Sequence, residues 1–171
     1  MTLLNFSVKY LSTLSVLTSV TVMLQLFAGL LPGVGALAAG FTTLFVALAA
    51  YSKPLGGLLV YAAAAGLIGI IMPIKLPLFL FSTGLLGLSL GATVKLGKNI
   101  SVLSSSLVLT IGTLVLTGPL GIPVLGPALS YAKGPITFLI IIFAFSWVFC
   151  FLWYIFFQRV ICRMGHLFKN T

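Results

Sequence analysis

Not one of the 171 residues is Asp or Glu, whereas nine are Lys or Arg. The hydrophobic fraction is 61% and the charged fraction 5%, against about 25% charged in a soluble globular domain. So few charges cannot cover a water-facing surface, and the uncovered surface must face lipid. The length suits a single transmembrane domain over 1–171, with no polar linker to divide it.

The missing carboxylates also bound the chemistry. No Asp or Glu is present to act as general acid, general base or hard-metal ligand, or to relay protons through a bilayer. No GxxxxGK[ST] phosphate loop occurs. The expectation is a non-enzymatic chain with no metal, no cofactor and no nucleic-acid partner. Uphill transport would take its energy from another subunit. Cys150 and Cys162 fall on one expected helix. Twelve residues there span about 18 Å, too far for a disulfide. Cys150 reads as a small buried hydrophobe, and Cys162 as a reduced thiol just inside the membrane, where acylation is the alternative.

Breaks in the apolar pattern fall at Pro, Gly and Lys clusters. They leave runs at 11–31, 34–51, 55–72, 76–94, 101–117 and 136–157. These hold roughly 17 to 23 residues each, enough to cross about 30 Å of hydrocarbon as a helix. A spanning strand would alternate in polarity over about 10 residues, and no run does. Helices close their own backbone hydrogen bonds in lipid. The fold expected is therefore all-α, a polytopic transmembrane bundle of six helices, multi-pass in the cell (inner) membrane. The first run exceeds a signal-peptide core of about 7–15 residues and no A-x-A site follows, so it is kept as a helix.

Positive charge sets the orientation. With both termini inside, the inner segments hold Lys9, Lys53, Lys95, Lys98, Arg159, Arg163 and Lys169, and the outer ones only Lys75 and Lys133. Tyr10, Tyr51, Tyr131, Trp153 and Tyr154 fit as interface anchors. The last helix is expected to stop at Gln158-Arg159. The basic tail after it would lie on the anionic inner leaflet, with His166 as a solvated residue.

Small residues four apart recur at Gly35/Ala39, Ala62/Gly66, Ala65/Gly69 and Gly87/Gly91. They allow close backbone approach, either within the bundle or to a partner. Ser12, Ser15 and Ser19 share one face of the first helix, which either packs inside or meets a partner subunit. The outer half of the membrane collects another polar set: Gln25, the only amide within an apolar run, then Thr42 and Thr43, Ser82 and Thr83, Thr113 and Thr117, and Thr137. Converging, these would make an outward-open pocket for a small amphipathic solute. Singly, each hydroxyl can bond its own helix. Three Pro and three Gly within Thr117–Pro127 make that segment either a lid over the pocket or an ordinary apolar loop.

The stretch from Tyr51 to Asn99 carries a resemblance. A basic Lys53-Pro54-Leu55-Gly56-Gly57 turn leads into a long apolar helix. Phe79-Leu80-Phe81-Ser82-Thr83-Gly84-Leu85-Leu86-Gly87-Leu88-Ser89-Leu90-Gly91 then ends in a second basic turn. In this the chain resembles the membrane-embedded S components of energy-coupling factor transporters, and most of all the functionally unassigned membrane proteins sharing that fold. The resemblance implies six helices, capture of a small nutrient from outside, and docking onto a shared transmembrane subunit driven by two ATPases. In that family a small-xxx-small Ala motif on the first helix makes the docking contact. Here Ser15-Val16-Leu17-Thr18-Ser19 occupies that place, with Ser for Ala. The competing expectation is a structural or assembly subunit of a larger membrane complex, with a filled core and no ligand.

Overall fold

The structure, a computed structural model, describes residues 7–30, 34–122, 124 and 134–168. Among these residues there are six helices and no strand: α1 (Val8–Leu30), α2 (Val34–Ser52), α3 (Pro54–Ile71), α4 (Pro73–Leu96), α5 (Lys98–Thr117) and α6 (Pro135–Phe168). Five are long and apolar enough to cross a membrane. In α2 the apolar stretch is the shorter Leu37–Ser52. The fold expected from the sequence is the fold observed.

Local chemistry places the ends. Ser7 caps α1, its Oγ accepting the Tyr10 N–H at 3.3 Å. Pro54 opens α3 at a position where the missing N–H costs nothing, and it forces Lys53 into extended backbone at φ −146°. Single residues, Lys53 and Met72, separate α2 from α3 and α3 from α4. Gly97 makes the next break at φ 109°, a region L side chains avoid.

Two expected boundaries are corrected. The fourth helix was expected from Leu76, but it begins at Pro73 with a 3-10 turn through Lys75. Proline interrupts a helix interior, yet it suits the first turn. The sixth was expected to stop at Gln158-Arg159, but it continues to Phe168, 34 residues in all. Polar side chains end a membrane span without ending a helix, because Gln and Arg are good helix formers. At 1.5 Å per residue α6 is about 51 Å long, so it outruns a hydrocarbon layer of about 30 Å.

The chain divides into two compact units, one through Ala92 and one from Thr93. In the first, α1, α2 and α3 pack on one another, and α4 lies against α2 and α3. Its core joins Leu14 and Val22 of α1, Val46 and Ala49 of α2, Val60, Ala64 and Ile68 of α3, and Phe79 of α4. At one end, Lys53 Nζ stands 5.1 Å above the Tyr10 ring. At the other end of α1, Gly29 abuts Met72, and a Cβ there would lie 3.6 Å from Lys75 Cε. The connections on either side of α3 therefore lie at opposite ends of α1, as a spanning hairpin requires.

Glycine sets the closest approach. A Cβ on Gly87 would lie 2.6 Å from the Thr43 carbonyl oxygen, and Gly91 meets Ala47 and Ala50 in the same way. This pair packs α4 onto α2, the internal role among the two expected. Gly35 likewise packs on Ala28, whereas Ala62 and Gly66 are exposed and no atom lies within 4 Å of a Cβ on Gly66.

In the second unit α5 packs on α6. The buried side of α6 is Ile142, Ser146, Cys150, Tyr154 and Phe157, a stripe at helical spacing. Phe145, Phe149, Trp153 and Phe156 form successive ring contacts along the helix, with centroids 5.4 to 6.3 Å apart. Cys150 is buried, Cys162 is exposed, and both are free.

Candidate functional site

An irregular turn in α4 organises the polar groups of the first unit. From Phe79 to Gly84 the backbone widens into a π-helical turn, a local geometry frequent at functional sites. Widening displaces carbonyls from their ordinary i to i+4 donors, and neighbouring helices supply replacements. Tyr61 of α3 donates its hydroxyl to the Leu80 carbonyl at 3.2 Å, and Thr43 of α2 donates to the Thr83 carbonyl at 3.1 Å. The Tyr61 ring also stacks on Phe79 at 5.8 Å. Gly84 allows this crowding, since a Cβ there would meet Tyr61 and Phe79 at 2.9 Å.

Gln25 and Thr83 each leave a buried polar atom over. Gln25 is 2% exposed, and its Oε1 has no hydrogen-bond partner. It sits on α1 between Val22, a core residue, and Leu26, which packs on the same core as Phe79. The Thr83 hydroxyl, on the π turn itself, is also buried without a partner. A buried acceptor with no donor costs about 1–3 kcal/mol, and each such atom calls for an explanation. The remaining buried hydroxyls on α1 need none, because Thr18 and Thr21 donate to the carbonyls of Leu14 and Leu17.

The other expected site residues scatter. Thr42 is buried but donates to Ala39 within its own helix at 2.6 Å. Ser82 is half-buried on the π turn. Thr113 and Thr117 belong to the second unit. There Thr113 is buried, and Thr117 donates back to the Thr113 carbonyl at 2.8 Å. Thr137 is exposed on α6. Of the expected lid, Thr117–Pro127, residues 123 and 125–127 lie outside the described residues, as do Tyr131, Lys133 and the His166 side chain. What is described folds back on α5, with the Ile122 N–H bonded to the Leu116 carbonyl at 2.8 Å around Gly121 at φ 62°, a glycine-turned helix end.

Among the described residues, Ser12, Ser15 and Ser19 are all exposed. The Ser15 and Ser19 hydroxyls bond the carbonyls of Leu11 and Ser15, so the face is nearly apolar in effect.

Sequence reasoning missed Tyr61, the π turn and Ser146. Ser146 is fully buried with its Oγ unpartnered. It was readable as the one serine in an aromatic run. The π turn had no comparable signal, because Phe79–Gly84 contains no residue that dictates it.

No group of three His, Cys, Asp or Glu side chains able to hold a metal occurs among the described residues. Helices of spanning length and apolar composition, with hydroxyl-mediated contacts between them, define a polytopic helical membrane protein. Comparison with protein-family models, curated proteins and solved structures finds no match to this chain.

Proposed function

We propose that the chain is a non-enzymatic membrane subunit that holds a small, amphipathic solute among α1–α4, at Gln25 and the π turn, in the manner of an S component that passes its solute to partner subunits. The Gln25 carbonyl oxygen carries this reading. A buried amide acceptor inside a bilayer has no water to turn to, and a solute N–H or O–H would supply the missing donor. Thr83 offers a second group of the same kind on the π turn. The absence of side-chain carboxylates suits a neutral solute better than a cationic one.

Native mass spectrometry of the gently purified protein tests this directly. A small-molecule adduct is expected on the wild type. Gln25→Leu should weaken its retention about five- to tenfold, the worth of one hydrogen bond. The variant should stay folded, because replacing an unpaired polar group with an apolar one is close to neutral. A wild type that carries no adduct would remove the reading. So would an adduct that Gln25→Leu leaves unchanged.

A second reading, an assembly subunit with no solute, is favoured by the exposed Ser12, Ser15 and Ser19 face. Small residues there would let a partner helix approach closely. Partner subunits co-purifying without any small molecule would decide for it.

A further inference from the structure

A groove of about 820 Å³ opens where the first turn of α5 faces the far part of α6. Lys98, Arg159 and Arg163 line it together with Tyr154, Ile155, Phe156 and Val160. The two arginines are exposed and stand one helical turn apart, where like charges repel. Lys98 shares the lining of the groove, its ammonium 4.6 Å above the Phe151 ring. No side-chain carboxylate exists anywhere in the chain to neutralise the three. Gln158 donates to the Tyr154 hydroxyl at 2.7 Å, so that nearby polar pair is already engaged.

Depth identifies the anion. From Ile136, where the span begins, a hydrocarbon layer of about 30 Å is crossed in about 20 residues. Arg159 and Arg163 then lie about 5 and 10 Å beyond it, within the headgroup layer. The apolar wall of Ile155, Phe156 and Val160 starts where that layer meets hydrocarbon. A volume of this size is that of a ligand site of about 300–1,000 Å³, far more than a lone phosphate ion fills. We propose that this groove binds the phosphate headgroup of an anionic phospholipid, with its glycerol and upper acyl chain against Ile155, Phe156 and Val160. Basic recesses between membrane helices are suited to such headgroups.

The test uses the full-length protein in neutral detergent, titrated with phosphatidylglycerol or phosphatidylcholine and read by native mass spectrometry. Phosphatidylglycerol should be retained at least about tenfold better than phosphatidylcholine, and Arg159→Gln with Arg163→Gln should abolish that preference. Lys75→Gln, a cation removed outside the groove, should leave it intact. Both arginines are exposed, so the double variant should keep the wild-type melting temperature in lipid-free detergent. Equal retention of the two lipids would overturn the proposal. It would equally fail if the double variant kept the preference, or if inorganic phosphate displaced the lipid at matching concentration. Gln25→Leu should not alter lipid retention, so this inference stands or falls apart from the solute reading.

Discussion

Gly87 and Gly66 would be treated alike by any hydropathy scale, yet a methyl group at each meets opposite surroundings. At Gly87 it would press on the Thr43 carbonyl oxygen and on Val46, 2.6 and 2.9 Å away; at Gly66 it meets nothing within 4 Å. Backbone cannot yield as a flexible side chain can, so Gly87→Ala must push α4 from α2. Overpacking of this kind costs typically about 1–3 kcal/mol. Gly66→Ala should be neutral, or stabilising by up to about 1 kcal/mol through helix propensity. Melting temperatures in detergent compare them, and equal values would remove the tight-packing account of Gly87. The sequence marked both glycines as small-xxx-small positions but could not tell them apart. In a membrane the packed face and the lipid face are both apolar, so the contrast that reveals a buried face in a soluble helix is missing. Gln25 was readable for the converse reason: one amide in an apolar run must be turned inward, and it is.

Among the elements, α4 and α6 show what punctuation can and cannot say. Spans were readable because crossing a bilayer demands a minimum apolar length. Ends were misread where a residue that usually stops a helix was tolerated, Pro73 in a first turn and Gln158-Arg159 past the lipid boundary. The π turn was not readable, because its hydrogen-bond partners, Tyr61 and Thr43, come from other helices. That dependence gives a prediction. Tyr61→Phe keeps the ring on Phe79 but strips the Leu80 carbonyl of its donor. A loss of about 1–2 kcal/mol is expected, seen as a lower melting temperature and faster amide exchange over Phe79–Gly84. Unchanged exchange in that turn would mean that the hydroxyl does not support it.

For the whole molecule, charge and geometry make one argument about direction. Seven of the nine basic residues fall on one side when six helices alternate: Lys9, Lys53, Lys95, Lys98, Arg159, Arg163 and Lys169. Within the first unit the contacts agree with that alternation, since Lys53 lies with Tyr10 at the start of α1 and Lys75 lies beside Gly29 near its end. The positive-inside bias predicts that Lys9, Lys53, the α4–α5 connection and the far end of α6 face the cytoplasm, and the α3–α4 connection the outside. Ile74 and Leu96 are exposed residues on opposite sides of that scheme, 77% and 62% accessible, and Cys162 is an exposed native thiol that the scheme assigns to the inner side. In intact cells a membrane-impermeant maleimide should label Ile74→Cys but neither Leu96→Cys nor native Cys162. Permeabilising the membrane should bring both of the latter into reaction, which shows that they were shielded by the bilayer rather than by the fold. Labelling of Leu96→Cys from outside, with Ile74→Cys protected until permeabilisation, would invert the molecule. The basic groove would then face the outer leaflet, and both the solute site and the lipid site would have to be reassigned to opposite sides of the membrane.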